Sequence, residues 1–128
     1  MSENFASLLA RLSKLPAAVT SDVLGEMGLR DQALTSGIRM VGNAKAIAGP
    51  AFCIRGEASF KASGVAFDMD RKLYPGAIVV IATGGYAGSA VIGGNVALSF
   101  KLRGAVAVVT DGGARDRDEF AEIGMPLF

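Results

Sequence analysis

The sequence contains no histidine and only one cysteine, and these two shortages remove several kinds of catalytic chemistry. Without histidine there is no Ser-His or Cys-His catalytic pair and no His-ligated zinc site. Cys53 lies in an apolar run, so we interpret it as a buried side chain in a reduced compartment. A single cysteine also excludes an internal disulfide, so the fold must depend on its hydrophobic core.

The chain also has no excess of charge of one sign, because it contains 13 Lys and Arg residues and 12 Asp and Glu residues. Non-specific nucleic-acid binding depends on such an excess, so we expect no direct contact with nucleic acid. No apolar run approaches the roughly 20 residues of a membrane helix, and residues 1–16 lack the apolar centre of a signal peptide. These features predict a cytoplasmic protein without a membrane partner.

What the chain does have is hydrophobic residues (51%) and 17 glycines in 128 residues. That length is enough to bury a core without a metal or a disulfide. We therefore expect a single domain over residues 1–128, with N-terminal helices at about 4–28 and an α/β core at about 46–128.

Two helices are predicted near the N-terminus. Apolar residues at positions 5, 8, 9 and 12 fall at helical spacing and predict a helix over Asn4–Lys14, which Pro16 ends. Thr20 or Ser21 is a suitable cap for a second helix through residue 27, with Gly28 placed to end it.

Strands and helices then alternate, which predicts an α/β layer structure. The β-branched runs Ala77–Ala82 and Ala105–Thr110 predict strands, the first of them buried on both faces. Ala46–Ile54 is a third predicted strand, and its Gly49-Pro50 step indicates a sheet edge or a bulge. The other predicted elements are a short helix over Val65–Leu73, helices over Asn95–Gly104 and Asp118–Ile123, and a strand beginning within Met125–Phe128.

The lengths of these elements bring two loops together. The predicted helix that starts in Gly93–Val96 carries the chain about 14 Å away from that turn. Gly104 permits a reversal, and the strand Ala105–Thr110 returns about 20 Å. The segment Asp111–Asp116 should therefore emerge beside Gly93–Val96.

The chemistry of the two loops suits an anionic ligand and a metal. Gly93 and Gly94 leave backbone N–H groups uncovered at a helix start, which favours an anion. The planar guanidinium group of Arg115 can donate two parallel hydrogen bonds to a carboxylate or phosphate. Asp116 is a hard oxygen ligand of the kind that Mg²⁺ prefers.

Two other interpretations remain open at this point. Asp116, Asp118 and Glu119 are also what an ordinary helix N-terminus attracts, and Gly93-Gly94 is also compatible with a loose loop. The glycine-rich loop over residues 83–88 follows a strand as in a nucleotide-binding unit, although the G-x-G-x-x-G pattern would need glycine where Thr83 stands.

Several segments resemble the RraA-like family, which joins regulators of ribonuclease E activity with class II 4-hydroxy-4-methyl-2-oxoglutarate aldolases. The segments that carry the resemblance are Thr20–Leu24, Ala48–Phe52, Pro75–Val80, Gly93–Ala97, Arg103–Val106 and Val109–Asp116. The resemblance implies a swivelling β/β/α domain that assembles into homotrimers or hexamers.

For the site, the resemblance implies that the backbone amides of Gly93, Gly94, Asn95 and Val96, together with Arg115, hold a 2-oxo acid such as pyruvate. Asp116 would bind Mg²⁺ or Mn²⁺, which acts as a Lewis acid. Arg115 and Asp116 are then the catalytic residues of a lyase, an aldolase or oxaloacetate decarboxylase. The alternative is a non-catalytic regulator that binds a ribonuclease or another protein.

The chain departs from the aldolases at two places. They carry an aspartate where Gly94 stands, and the pattern of Gly94, Arg115-Asp116 and Glu119 is closer to family members outside the confirmed aldolases. Their C-terminal region also supplies an acid across the trimer interface, whereas this sequence ends at Phe128, so we expect a domain truncated at the C-terminus. An older family label, demethylmenaquinone methyltransferase, finds no convincing adenosylmethionine site in the loop at 84–88.

Overall fold

A parallel β-sheet lies at the centre of the computed structural model, which describes residues 3–43, 46–56 and 70–128. Its strands are β1 (Ala51–Arg55), β2 (Ile78–Ala82) and β4 (Ala107–Thr110), with β2 in the middle. Parallel neighbours need crossover connections, and residues 83–106 form the one between β2 and β4. The expected α/β fold class is confirmed.

A second parallel pair consists of β3 (Ala90–Ile92) and β5 (Gly113–Ala114), and the sequence analysis predicted neither strand. Both are too short to show an alternating pattern. Residues 125–128 run beside β4, where the Phe128 N–H donates to the Val108 carbonyl at 2.8 Å and Leu127 forms an isolated bridge to Val108, so the predicted C-terminal strand is represented by a bridge and not by a full strand.

One face of the central sheet is covered by α3 (Gly94–Leu102) and α4 (Arg117–Glu122). Val79 and Val108 are fully buried against the helix residues Phe100 and Phe120. On the opposite face Ile78 and Val80 are only half-buried. The prediction that this strand is buried on both faces therefore holds for one face alone.

The N-terminal segment forms α1 (Glu3–Leu12) and α2 (Ala17–Glu26). The second helix begins before its predicted caps, because Pro16 supplies the N-cap position and its carbonyl accepts from the Thr20 N–H at 3.3 Å. No side-chain hydrogen bond caps this start of the helix. Gly28 follows the helix with a φ of +81°, as predicted.

Two further expectations are corrected, and a third lies largely outside the described residues. Only the part of Ala46–Ile54 after Pro50 forms a strand, whereas its position at one edge of the three-stranded sheet agrees with the prediction from the Gly49-Pro50 step. Cys53 is exposed, because alternate residues of that edge strand point away from the core. Most of the predicted helix Val65–Leu73 falls outside the described residues, and 70–72 form a 3₁₀ turn.

Gly104 makes the reversal between α3 and β4, as expected. Its φ is +89°, and its carbonyl accepts from the Gly76 N–H at 2.8 Å. A Cβ at this position would lie 3.0 Å from the Pro75 Cα, so a side chain has no space. No helix among the described residues is long and apolar enough to cross a membrane.

Candidate functional site

The segments 93–96 and 111–116 lie side by side, as the element lengths predict. What aligns them is the unpredicted ladder between β3 and β5, in which Ala90 pairs with Gly113 and Ile92 with Ala114. The ladder continues with a hydrogen bond from the Arg115 N–H to the Ile92 carbonyl at 3.1 Å. Both segments therefore lie beside the start of α3.

The first turn of α3 has no side-chain cap. Gly93 is its N-cap residue in an extended conformation, and the helix begins at Gly94, one residue before the predicted start. The Gly94 N–H donates to the Asp116 Oδ2 at 3.3 Å, a long bond from the other segment. A helix start of this kind can also satisfy its free amides with an anion.

The side chains of Arg115 and Asp116 meet over Gly93. The Arg115 Nε lies 3.4 Å from the Asp116 Oδ2, and these side chains are 74% and 40% exposed. A Cβ on Gly93 would lie 2.8 Å from that carboxylate oxygen and 2.9 Å from that nitrogen. The glycine thus allows both charged groups to approach the backbone at the helix start.

Asp116 itself adopts a left-handed conformation, with a φ of 57°. Aspartate tolerates this region better than most residues, but the conformation still costs free energy. Here it turns the chain from β5 into α4 and directs the carboxylate toward Gly94. Asp116 therefore both makes the turn into α4 and places its own carboxylate beside Gly94.

Glu119 belongs to this cluster, although it was not among the predicted site residues. Its carboxylate occupies the space where a Cβ on Gly94 would lie, and its N–H donates to the Asp116 carbonyl at 3.0 Å. The sequence alone offered no signal that separates Glu119 from the acids that an ordinary helix N-terminus attracts. The acid absent at position 94 is thus spatially replaced by one from α4.

Of the other predicted residues, Asn95 is exposed, and Val96 packs against the core with a half-buried side chain. Their contribution to ligand binding would come from first-turn amides. Among the described residues, no group of three or more His, Cys, Asp or Glu side chains could hold a metal. A cation here would depend on Asp116 and on water and substrate oxygens, which Mg²⁺ accepts.

Asp111 acts elsewhere, as a clamp on the glycine-rich loop. Its carboxylate accepts from the Thr83 N–H at 2.6 Å, the Thr83 hydroxyl at 2.9 Å and the Gly85 N–H at 2.9 Å. The hydrogen bonds from Thr83 are the main reason why the pKa of Asp111 is lowered. Two loop amides that a nucleotide phosphate would need are therefore already bonded to a carboxylate.

Solved structures share the fold. One described among novel cellulases from gut-associated microbes matches with a TM-score of 0.90 and 25% identity over 100% of this chain. An uncharacterised protein from Pseudomonas syringae pv. tomato matches with a TM-score of 0.81 and 27% identity over 96%. RraAS2 from Streptomyces coelicolor, described as an unusual member of the RNase ES inhibitor RraA family, matches with 0.83 and 24% over 94%.

The chain covers 58%, 55% and 61% of those three proteins, respectively, which is less than two thirds of each. No curated protein matches the sequence. Nothing in these comparisons supports the older methyltransferase label. The model of the RraA-like family, described as Aldolase/RraA, matches residues 17–128, and the chain belongs to this family.

Proposed function

We propose that the protein is a divalent-metal-dependent lyase that cleaves a C–C bond of a 2-oxo acid and releases pyruvate. The observation that carries the proposal is the cluster at the start of α3, where Arg115, Asp116 and Glu119 lie against Gly93 and Gly94. A guanidinium, uncapped amides and two carboxylates in one place suit a small anion beside a hard cation.

In this proposal Arg115 and the first-turn amides of α3 bind the substrate carboxylate. Asp116 would hold Mg²⁺ or Mn²⁺ together with water and substrate oxygens, and the bound cation would supply Lewis-acid stabilisation of the negative charge that develops on the 2-oxo oxygen. Oxaloacetate loses CO₂ when its C3–C4 bond breaks and the electron pair moves toward that oxygen. In a 4-hydroxy-2-oxo acid the same bond breaks after the 4-hydroxyl loses its proton.

We propose that Glu119 accepts the proton of the 4-hydroxyl group, because its carboxylate occupies the space where a side chain at position 94 would lie. It is exposed, so water can connect its carboxylate to a substrate hydroxyl. General-base assistance of this kind increases the reaction rate by about 10²- to 10⁴-fold. Decarboxylation of oxaloacetate needs no such proton transfer and should depend less on Glu119.

The decisive experiment measures pyruvate release from oxaloacetate with Mg²⁺, with EDTA, and in the variant Asp116→Asn. Asparagine also tolerates the left-handed backbone, so the substitution removes charge without forcing a new conformation. We expect EDTA and Asp116→Asn each to reduce the rate on the order of a hundredfold.

The matched control is Asp118→Asn, an exposed acid two residues away on α4, which should retain the rate within about twofold. A rate that neither EDTA nor Asp116→Asn changes would overturn the proposal.

The second candidate is a non-catalytic regulator that binds a ribonuclease, and the absence of an acid at Gly94 favours it. RraAS2, which shares the fold, is described as a member of an RNase ES inhibitor family. This candidate predicts stable co-purification with a ribonuclease and no metal-dependent pyruvate release. Assembly into homotrimers or hexamers is compatible with both candidates.

A further inference from the structure

Asp111 lies between two parallel strand pairs. The strands β2 and β4 end side by side, where Ile81 pairs with Thr110, and the same two stretches of chain pair again further on as β3 and β5. Asp111 is the residue that follows β4, and its carboxylate accepts hydrogen bonds from the chain that follows β2. It is therefore placed after the first ladder ends and before the second one begins.

Three donors converge on the Asp111 carboxylate. Its Oδ1 accepts from the N–H and the hydroxyl of Thr83, and its Oδ2 accepts from the Gly85 N–H. The Thr83 hydroxyl in turn accepts from the Tyr86 N–H at 3.2 Å, so its own proton is directed to the carboxylate. A carboxylate can accept from all three donors, whereas an asparagine would direct its NH₂ group at one of them. This position therefore suits an acid and not its amide.

Glycines allow the chain after β4 to pack directly on the loop after β2. An ideal Cβ on Gly112 would lie 2.9 Å from the Thr83 Oγ1, and one on Gly113 would lie 2.9 Å from the Ser89 carbonyl oxygen. The contact at Gly113 is with backbone, which cannot turn aside as the end of a flexible side chain can. A displacement of the loop would therefore be transmitted to residues 112–114.

The second ladder leads directly into the candidate site. The Arg115 N–H donates to the Ile92 carbonyl at 3.1 Å, as the last bond between the two stretches of chain before the site. The residue after Ile92 is Gly93, the N-cap of α3, and the residue after Arg115 is Asp116. Strands of two and three residues have little stability of their own, so their register depends on the contacts that precede them.

We infer that Asp111 is a positioning residue, which holds the register of β3 and β5 and thereby places Arg115 and Asp116 beside the start of α3. It acts through the backbone and not on the substrate. The placement is argued from the contacts above, whereas its consequence for catalysis rests on the proposed function.

Hydrogen exchange followed by NMR tests the placement without turnover. The variants are Asp111→Asn, which removes the charge, and Thr83→Val, which removes only the hydroxyl, and Thr83→Ser is the matched control that keeps it. The protection factor of the Arg115 N–H is compared with that of the Val106 N–H, which donates to the Ala77 carbonyl at 2.9 Å at the other end of β2 and β4. A general loss of stability lowers both protection factors, so their ratio reports on the second ladder.

We expect the ratio of Arg115 to Val106 protection to fall about tenfold in Asp111→Asn, because a hydrogen bond to a charged group corresponds to about that factor in an equilibrium constant. Thr83→Val should lower the ratio less, because the Thr83 N–H still donates, and Thr83→Ser should keep it within about twofold. A ratio that neither Asp111→Asn nor Thr83→Val changes would overturn the inference, whether or not the protein releases pyruvate.

The second experiment measures pyruvate release from oxaloacetate with Mg²⁺, at a temperature at which every variant is folded. A misplacement of about 1 Å can lower a rate on the order of a hundredfold, so kcat should fall at least about tenfold in Asp111→Asn. The control for stability is Gly104→Ala, which strains the turn at the other end of β4 and should keep kcat within about twofold.

The outcomes separate this inference from the proposed function. In an active protein, a kcat that Asp111→Asn leaves unchanged, or that Gly104→Ala lowers equally, would overturn the positioning role. A protein that releases no pyruvate but shows the expected fall in the protection ratio would contradict the proposed function and still support the placement by Asp111.

Discussion

At position 94 the backbone carries no side chain, and the carboxylate of Glu119 lies where one would begin. The Glu119 Cβ is also close, at 3.0 Å from the ideal Cβ position. The two residues therefore exclude each other sterically, and an acid at position 94 would require Glu119 to move. Because Gly94 has no side chain, the carboxylate of Glu119 can occupy the space beside the start of α3.

A double-mutant cycle between Gly94→Ala and Glu119→Ala tests that exclusion. In a helix, alanine is favoured over glycine by about 1 kcal/mol, so Gly94→Ala should be close to neutral or stabilising once Glu119 is truncated. With Glu119 present, its carboxylate must move to another rotamer, which should offset part of that gain and give a coupling free energy of about 0.5–1 kcal/mol. Urea unfolding measures the four free energies.

The control for the cycle is Gly25→Ala in α2, where a Cβ meets nothing within 4 Å. It should stabilise the chain by about 0.5–1 kcal/mol in both backgrounds. An equal effect of Gly94→Ala with and without Glu119 would contradict the proposed exclusion.

The sequence was sufficient to predict which residues of the candidate site lie close together. Arg115 and Asp116 could be predicted to lie near Gly93 because helix and strand lengths determine where each loop emerges. Glu119 could not be distinguished from an ordinary helix N-terminal acid, because only its rotamer over Gly94 separates the two interpretations. The three predicted ligand roles, for an anion, a metal and a catalytic group, stay predictions.

At the scale of elements, Asp111 joins the end of β4 to the loop that follows β2. Its pKa is lowered by hydrogen bonds that exist only in the folded chain, with the backbone N–H of Thr83 as the largest cause. A carboxyl group of this kind stabilises the fold above its unfolded-state pKa, and the contribution is lost as the pH falls through the folded-state value.

The unfolding temperature should therefore decrease as the pH falls below the ordinary aspartate value of 3.8, and Asp111→Asn should make that decrease shallower. Asparagine can still accept through its carbonyl oxygen, but its NH₂ group cannot accept from the Gly85 N–H. Thermal unfolding followed by circular dichroism from pH 6 to pH 2 measures both slopes. Parallel curves for the two proteins would contradict the clamp.

The turn at Gly104 can be tested against a glycine of similar conformation. Gly104 has a φ of +89° with Pro75 at 3.0 Å, whereas Gly84 has a φ of +70° with nothing within 4 Å of a Cβ. Both alanine variants carry the backbone strain of about 1 kcal/mol or more, but only Gly104→Ala adds a collision with backbone. We expect Gly104→Ala to lose at least about 1 kcal/mol more than Gly84→Ala in urea unfolding. Equal losses would show that the contact with Pro75 is unimportant.

The elements that the sequence predicted are those with strong local signals. The apolar run Ala77–Ala82 and the glycine at position 104 were sufficient for β2 and for the reversal into β4. By contrast, β3 and β5 have two or three residues each, and only their pairing with one another makes them strands. Cys53 was misjudged because the apolar run around it was interpreted as a sign of burial, although the Gly49-Pro50 step before it indicated an edge strand with one exposed face.

At the scale of the whole molecule, apolar residues remain exposed on the N-terminal helices although the net charge is only +1. Val19 is 44% exposed, Val23 50% and Met27, just after α2, 69%. Residues four apart lie on one helix face, so these three form a continuous apolar stripe. Apolar surface of this kind without a strong net charge favours association with another protein surface.

We predict that the stripe contributes to self-association into the homotrimer or hexamer that the family resemblance implies. Sedimentation velocity should give a mass that is a multiple of 13.1 kDa, and the double variant Val23→Lys/Met27→Lys should shift it toward a single chain. Two lysines remove apolar contact and introduce charges that an interface would have to desolvate, which opposes association. Leu102→Lys, at a residue 79% exposed on α3, is the matched control and should leave the mass unchanged. A monomeric unmodified chain, or a double variant of unchanged mass with intact circular dichroism, would contradict this role of α2.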